Sequence, residues 1–284
     1  MVGICSRVKR LALLDCEDAP KWAGHEQLWY QRFYVGQATW THFRCWAGEL
    51  PTLQQSNDFD AFFVGGSHYS AYEALAWIDQ LRDWLRAILT SDQYTAKVVA
   101  VCFGCQMAAQ ALGGVVGRNP NDRFVLKVED LEASKDWRQQ PYFQDALAQA
   151  ELAAKEVHSE QRNGSSPVLR VIESHGDQVL ELPVGAQLLG SSSTSPLDAW
   201  AYSNRLLALQ GHPEMTCSMV AKKILQPLTI NGRLSASESA AAEESLGTLH
   251  TDHDLIIQIM ASFIAGPAQH SPPETGPETR HQAC

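Results

Sequence analysis

Residues Lys97–Gly114 read K-V-V-A-V-C-F-G-C-Q-M-A-A-Q-A-L-G-G and indicate the fold more clearly than any other segment. A valine-rich run leads directly into Cys102, and an alanine-rich run, Phe103–Leu112, follows it. This pattern predicts a buried strand, a sharp turn between small residues (Ala100 and Gly104) and a helix. A helix N-terminus beside a thiol favours the thiolate, so Cys102 is a candidate nucleophile. The alternative is an inert cysteine buried behind a core strand.

The rest of the chain alternates short apolar runs with amphipathic stretches, which is typical of a mostly parallel sheet covered by helices. The predicted strands are Val8–Leu14, Thr41–Trp46, Asp60–Val64, Lys97–Val101, Phe124–Val128, Val168–Ile172, Gln187–Leu189, Ala199–Tyr202 and Arg205–Leu209. The predicted helices are His25–Tyr34, one through Leu75, Ile78, Leu81, Leu85 and Ile88, then Phe103–Leu112, Asp145–Val157, Met215–Leu225 and Asp254–Ile264. We expect one α/β domain over residues 1–265.

Two segments of the chain lack this alternation. Residues His158–Pro167 are polar and are expected to form a surface loop. Residues Gly266–Cys284 hold four prolines and two glycines without periodicity, and this predicts a disordered tail.

Composition excludes several classes of protein. The 284 residues are 45% hydrophobic and 19% charged, as in a globular protein, and the net charge is −10. Phosphate backbones and anionic lipids select clustered Lys and Arg, so neither nucleic acid nor a membrane is expected as a partner. The seven cysteines are irregularly spaced and no signal-peptide core is visible, which predicts a cytoplasmic protein with reduced thiols.

A second segment complements the cysteine turn. Residues Leu206–Thr216 read L-L-A-L-Q-G-H-P-E-M-T, so a strand ends at His212 and Pro213 fixes the turn before Glu214. A nucleophilic thiol needs a base within hydrogen-bond reach, and that base needs an acceptor to orient it. The spacing makes His212 and Glu214 candidates for this pair.

Four motifs in order make the sequence similar to the class I glutamine amidotransferase family, and within it to the plant γ-glutamyl peptidases. The motifs are V-G-G-S-H-Y-S-A-Y-E at Val64–Glu73, V-C-F-G-C-Q at Val101–Gln106, S-H-G-D-Q-V at Ser174–Val179 with E-L-P after it, and Q-G-H-P-E at Gln210–Glu214. The resemblance implies a flavodoxin-like three-layer sandwich. It also implies hydrolysis of γ-glutamyl amide bonds, such as those of glutathione conjugates, through a γ-glutamyl thioester.

The resemblance assigns roles to residues of this chain. Cys102 is the expected nucleophile, His212 the general acid and base, and Glu214 the carboxylate that orients His212. The backbone N–H groups of Gly66 and Phe103 form the expected oxyanion hole, where preset donors stabilise the developing charge.

The resemblance also assigns the glutamyl part of a small-molecule substrate to Gln106, Ser174 and His175. His175 is equally compatible with a loop histidine whose hydrogen bonds are satisfied within the protein. No cofactor and no metal are implied.

One departure from the family pattern opens a redox alternative. Ala100 stands where glycine is common, with little expected effect, but Cys105 stands where histidine is common and creates Cys102-x-x-Cys105. This spacing is shared by redox proteins, and a reversible disulfide that stops hydrolysis is a related hypothesis. Helical geometry at Cys105 opposes such a bond.

A metal-binding alternative is suggested by His250-x-x-His253 with Asp252 and Asp254. The simpler interpretation is the polar start of a helix, with Asp252 or Thr251 as its N-cap, and this interpretation is favoured.

Two functional alternatives remain within the family. One is a glutaminase subunit that supplies ammonia to a separate synthetase partner, because glutamine and γ-glutamyl peptides share the reacting half. The other is a degenerate member that only binds a partner, which the presence of Cys102, His212 and Glu214 disfavours. The sequence leaves the leaving amine and any homo-oligomer open.

Overall fold

A computed structural model describes residues 8–33, 37–156 and 168–266. The predicted loop His158–Pro167 and all but the first residue of the predicted tail lie outside these ranges. Within them, no helix has the length and apolar content needed to cross a lipid bilayer.

Eleven strands occur in the described residues. They are β1 (Lys9–Asp15), β2 (Ala38–Arg44), β3 (Ala61–Val64), β4 (Lys97–Val101), β5 (Val115–Arg118), β6 (Val125–Ala133), β7 (Val168–His175), β8 (Asp177–Glu181), β9 (Ala186–Ser191), β10 (Ala199–Tyr202) and β11 (Leu206–Leu209). Nine of these strands form one sheet in the order β2-β1-β3-β4-β11-β10-β9-β6-β7, and β5 pairs with β8 in a separate two-stranded sheet.

The large sheet has two halves. Strands β2, β1, β3, β4 and β11 are all parallel, and we call them the parallel half. Strands β10, β9, β6 and β7 pair antiparallel, and we call them the antiparallel half. In the parallel half Ala100 pairs with Val64, and Val101 pairs with Leu209. The ends of β3, β4 and β11 therefore lie side by side at one edge of the sheet.

Nine α-helices are found in the described residues. They are α1 (Glu26–Arg32), α2 (Ala76–Thr90), α3 (Phe103–Ala111), α4 (Lys135–Arg138), α5 (Pro141–Glu156), α6 (Cys217–Val220), α7 (Gln226–Ile230), α8 (Ala236–Thr248) and α9 (His253–Ala265).

Helices cover both faces of the sheet. Successive strand residues point to opposite faces, so Phe62 packs into the core with α2 and α3, whereas Phe63 packs into a separate core with α1, α5 and α9. A third apolar cluster joins β6 and β7 to α6, α8 and the turn between α6 and α7. The predicted three-layer α/β sandwich is confirmed.

Several predicted elements differ in the structure. The helix predicted over Met215–Leu225 is divided: a π-helical turn, Ala221–Leu225, separates α6 from α7. Pro227 lies in the first turn of α7, and its missing N–H prevents a regular helical bond back to the preceding turn. Strands β5 and β8 and helix α8 were not predicted from the sequence.

The predicted N-cap position of α9 is confirmed, but the capping hydrogen bond expected from the side chain is not. Asp252 occupies the N-cap position, but its side chain makes no capping hydrogen bond. Its Oδ2 instead accepts the N–H of Arg170 on β7 at 2.9 Å. The Thr251 hydroxyl lies against the ring of His253. Asp252 thus connects α9 to the sheet.

Candidate active site

Cys102 occupies the sharp turn between β4 and α3. Its backbone has φ 53° and ψ −110°, a conformation that residues other than glycine rarely adopt. The turn is held by hydrogen bonds, since the Cys102 N–H donates to the Leu209 carbonyl at 2.9 Å and the Gln106 N–H donates to the Cys102 carbonyl at 3.0 Å. Backbone strain of this kind is found at functional sites, where the surrounding structure enforces it.

Gly104 permits this turn to pack against β3. A Cβ at this position would lie 2.3 Å from the carbonyl oxygen of Val64, closer than any real contact. The Gly104 N–H donates to the Gly65 carbonyl at 3.1 Å, which fixes the start of α3 against the end of β3. The small residue predicted at this flank is therefore required by backbone contact.

His212 and Glu214 follow β11 and are both buried. The Nδ1 atom of His212 lies 2.7 Å from Oε1 of Glu214, so the ring donates from Nδ1 to the carboxylate. Burial alone would lower the pKa of His212, but the negative charges of Cys102 and Glu214 and their hydrogen bonds raise it well above its usual value. This environment favours an imidazolium beside the sulfur.

Cys102 and His212 approach one another beside Gly66. A Cβ on Gly66 would lie 3.0 Å from Cε1 of His212 and 3.8 Å from Cβ of Cys102. The parallel pairing of β4 with β11 produces this approach, because the two residues follow neighbouring strand ends.

Two backbone N–H groups border the same space. Phe103 is the first residue of α3, so its N–H has no partner within the helix. Among the described residues, no carbonyl accepts from the N–H of Gly66 or Phe103. These two donors are the ones predicted for an oxyanion hole.

A cavity of about 370 Å³ contains this site, and seven of the eight residues singled out from the sequence line it. Those seven are Gly66, Cys102, Gln106, Ser174, His175, His212 and Glu214. Phe103 is placed by its backbone next to Cys102, while its side chain belongs to the core.

Gln106 and Ser174 line the cavity in different ways. Gln106 is anchored by donation from Nε2 to the carbonyl of Asp177 at 2.8 Å, and the Ser174 carbonyl lies 4.0 Å from the Cys102 sulfur. His175 is the last residue of β7 rather than a loop residue, and it is buried. Its Nδ1 lies 3.1 Å from both Asn119 Oδ1 and the Asp177 carbonyl.

The outer part of the cavity was not anticipated from the sequence. It is lined by apolar and basic side chains, including Trp22, Phe124, Lys21, Arg118 and Arg233. These residues come from separate segments of the chain that only the fold brings together, so no local sequence signal identifies them.

Cys105 is separated from Cys102 by the packing of α3. Its thiol accepts the indole N–H of Trp200 at 3.1 Å, and it belongs to the core on the α2 face, whereas Cys102 belongs to the opposite core. Burial raises the pKa of the Cys105 thiol, so it stays protonated. These contacts explain Cys105 as a core residue and give no support to a redox pair.

The structure gives the His250–Asp254 segment no metal-binding geometry. In the described part of the chain, the only group of suitable side chains close enough to share an ion is Glu17, Asp18 and His68. Hydrogen bonds already engage this group, since His68 Nδ1 lies 2.7 Å from Glu17 Oε1.

Comparison with known proteins adds to this geometry. The profile of the family "Glutamine amidotransferase class-I" matches residues 13–231. The chain belongs to this family. It is 30% identical over 257 residues to γ-glutamyl peptidase 4 of Arabidopsis thaliana, a match that covers 89% of this chain and 93% of the relative. It is 29% identical over 173 residues to a GMP synthase of Bordetella parapertussis, but this match covers 61% of the chain and 28% of that protein.

Solved structures support the same fold. A glutamine amidotransferase of Thermotoga maritima superposes with a TM-score of 0.60 at 16% identity, covering 91% of this chain and 99% of the other. A glutamine amidotransferase of Methylobacillus flagellatus gives a TM-score of 0.58 at 17% identity, covering 94% and 97%.

Proposed function

We propose that this member of the class I glutamine amidotransferase family hydrolyses γ-glutamyl amide bonds with Cys102 as nucleophile. The observation that carries the proposal is the strained turn at Cys102, faced across Gly66 by the hydrogen-bonded pair His212–Glu214. Cofactors play no part in the proposed reaction.

The proposed reaction begins with attack of the Cys102 thiolate on the γ-carbonyl carbon. The developing oxyanion accepts hydrogen bonds from the N–H groups of Gly66 and Phe103, which are worth roughly 3 kcal/mol each in comparable sites. His212, held as an imidazolium by Glu214, transfers its proton to the leaving nitrogen, and the C–N bond breaks. An amine and a γ-glutamyl thioester result.

The thioester is then hydrolysed. His212, now neutral, takes a proton from water as the water oxygen attacks the thioester carbonyl. The C–S bond breaks, glutamate leaves, and the Cys102 thiolate is restored beside the imidazolium. Each cycle thus ends with His212 positively charged and ready to donate a proton in the next.

A peptide-like leaving group is supported by the shape of the cavity and by the comparisons. The cavity lining also includes apolar side chains and both basic and acidic ones, and the apolar and basic groups suit an amine with an apolar body and a carboxylate. Two γ-glutamyl peptidases of Arabidopsis thaliana match this chain over about nine-tenths of its length.

The second candidate is a glutaminase that supplies ammonia to a separate synthetase. The observation that favours it is the similarity to GMP synthases, whose matched part is a minor fraction of their length. Such a protein would act on free glutamine and would need a docked partner.

Three substrates separate the candidates: glutamine, glutathione and an S-substituted glutathione, each assayed by release of glutamate. The peptidase proposal expects kcat/KM to be highest for the S-substituted glutathione, and Cys102→Ala to lose at least about 10³-fold on it with an unchanged melting temperature. Turnover of glutamine alone would favour the glutaminase. Full activity of Cys102→Ala would overturn both candidates.

A further inference from the structure

Two buried carboxyl groups lie behind the cleft wall, and the proposed reaction uses neither. Glu173 on β7 and Asp198 before β10 are both 0% exposed. Oε2 of Glu173 lies 3.2 Å from Nε2 of His175. Among the described residues, no N–H or O–H group makes a well-formed hydrogen bond to any of the four carboxyl oxygens or to this Nε2. Unpaired polar atoms at such depth are costly, and protons on the groups themselves would supply the missing partners.

The position of the proton on His175 follows from its neighbours. The amide nitrogen of Asn119 donates to the carbonyls of Arg123 and His175, at 2.9 and 2.8 Å, which leaves Asn119 Oδ1 as an acceptor. Nδ1 of His175 faces this oxygen and the Asp177 carbonyl, both at 3.1 Å. Because both are acceptors, Nδ1 carries the hydrogen.

A neutral ring with its hydrogen on Nδ1 presents a lone pair at Nε2. Burial lowers the pKa of His175 to about 4, so the ring is neutral at physiological pH. Nε2 therefore faces Glu173 Oε2 as acceptor to acceptor, and a proton on Glu173 resolves the conflict.

The surroundings of the two carboxyl groups also favour their protonated forms. Burial raises the pKa of Glu173 to about 8, and burial together with the neighbouring Glu173 raises the pKa of Asp198 well above its ordinary value. The Ser192 hydroxyl opposes the rise at Asp198 but does not outweigh it. Two adjoining buried carboxyl groups do not both ionise, so at least one proton lies between them.

We propose that Asp198, Glu173 and His175 form a directed chain of hydrogen bonds that ends at the cleft wall, with Glu173 as a positioning residue for the proposed reaction. The Asp198 hydroxyl donates to Glu173, the Glu173 hydroxyl donates to His175 Nε2, and His175 Nδ1–H donates to the Asp177 carbonyl. The chain gives each of the three side chains a hydrogen-bond partner without a buried charge. Its effect on activity rests on the proposed function.

Glu173 lies behind the cleft and adjoins segments from both sides of it. Through His175 it supports the wall whose Ser174 carbonyl lies 4.0 Å from the Cys102 sulfur. A Cβ added to Gly211 would lie 2.6 Å from Glu173 Oε1, so the carboxyl group also rests against the residue before His212. A change in its shape or charge therefore reaches the wall and the His212 turn together.

The chain predicts a pH dependence. The charged and titratable groups around Glu173 are His175, Asp198, His212, Glu129 and Lys127. The folded-state pKa of Glu173, about 8, lies above its ordinary 4.5. The stability that its proton contributes is therefore complete below the unfolded pKa and is lost as pH rises through about 8. Above that pH His175 also loses its donor.

Two substitutions of Glu173 test the chain. Glu173→Gln preserves it, since the amide can donate to His175 Nε2 and accept from Asp198 but cannot ionise. We expect this variant to hold kcat/KM near the wild-type value at pH 6.5 and to lack the wild-type decline near the pKa of about 8. Glu173→Met has no hydrogen-bonding group, and we expect kcat/KM to fall about 10-fold or more.

The exposed Glu132→Gln on β6 is the matched control and should follow the wild type throughout. Wild-type kcat/KM in Glu173→Met, or pH profiles of wild type and Glu173→Gln that coincide, would overturn the proposal. If Glu173→Met does not fold, the pH profile of Glu173→Gln still decides.

A measurement without substrate keeps this proposal separate from the proposed function. ¹⁵N NMR of histidine-labelled protein at pH 7, with His175 assigned by His175→Gln, should show a neutral ring carrying its proton on Nδ1. An Nε2–H tautomer or an imidazolium would refute the chain. In thermal unfolding, the melting temperature of Glu173→Gln should rise relative to that of the wild type as pH rises from 5 to 8.5. If no γ-glutamyl substrate is turned over, the proposed function fails. The NMR and thermal-unfolding measurements still show whether the chain of hydrogen bonds exists.

Discussion

The two halves of the large sheet contribute to the cleft in different ways. The parallel half ends in Gly66, Cys102 and His212. They follow three neighbouring strands whose residues are all buried and apolar except Lys97 at the start of β4. The antiparallel half contributes Ser174 and His175 at the end of β7, with Glu173 buried behind them. The residues proposed to react are thus held by close backbone packing, whereas the wall is held by polar groups in the core. The first arrangement is sensitive to added volume, and the second is sensitive to charge.

Gly104→Ala should test the backbone packing of the parallel half most severely. The added methyl group would lie 2.3 Å from the Val64 carbonyl oxygen, so the backbone of Gly104 or of Val64 must move. We expect a loss of about 3 kcal/mol in the free energy of unfolding, measured by urea denaturation, and a large loss of kcat.

Gly247→Ala is the matched control for Gly104→Ala. Gly247 lies in α8, is exposed and has nothing within 4 Å of an added Cβ. Alanine there should stabilise the chain by up to about 1 kcal/mol. Equal stability of the two variants would show that the turn at Cys102 is not packed as described.

Glu214→Gln should affect chemistry with little effect on folding. The amide cannot stabilise an imidazolium on His212 as the carboxylate does, so we expect kcat to fall about 10²–10³-fold. Thermal unfolding should change little, because the substitution preserves shape. Glu181→Gln, on the exposed side of β8, is the control. An unchanged kcat in Glu214→Gln would remove Glu214 from the proposed reaction.

Gly211→Ala tests the contact between the two halves. Its Cβ would meet Glu173 Oε1 at 2.6 Å and Val171 Cγ2 at 2.7 Å. Side-chain ends yield more readily than backbone, so we expect about 2 kcal/mol of destabilisation, less than for Gly104→Ala. Assays at several pH values should also show a weakened alkaline decline, since Glu173 is displaced. If Gly211→Ala lost more stability than Gly104→Ala, the expected order of the two variants would be wrong.

Cys105→Ala should have the smallest effect. It removes the acceptor of the Trp200 N–H and should cost about 1 kcal/mol in the free energy of unfolding. Activity should be equal with and without reductant, as in the wild type, because the two cysteines face opposite cores. Loss of two thiols in the wild type during oxidative inactivation, with resistance in Cys105→Ala, would restore the disulfide hypothesis.

Local sequence was sufficient for β3, β4 and β11, whereas the strand predicted at Thr41–Trp46 spans Ala38–Arg44 and is followed by a short 3-10 helix. The strand predicted at Lys97–Val101 has the observed bounds, and the following helix ends one residue earlier than predicted. The strand predicted at Arg205–Leu209 begins at Leu206. Runs of buried apolar residues and an alanine-rich helix need no distant information to be recognised.

The remaining elements depend on distant partners. β5 and β8 pair across about sixty residues of intervening chain, and neither is a strongly apolar run. Helix α8 had a usable signal, because Ser235 and Glu238 form the capping box that the S-x-x-E spacing predicts. Nothing in the sequence marks Glu173 and Asp198 as neighbours, since only the folded sheet brings them into contact.

The backbone at Cys102 has a consequence for the evolution of this chain. A side chain held at positive φ costs on the order of 1–3 kcal/mol, and glycine carries no such cost. Codons for cysteine and glycine differ by one nucleotide. A duplicated copy released from selection for catalysis would therefore gain thermodynamic stability by the same single mutation that removes its nucleophile. A cysteine at this position, in spite of its backbone cost, is what the proposed reaction requires.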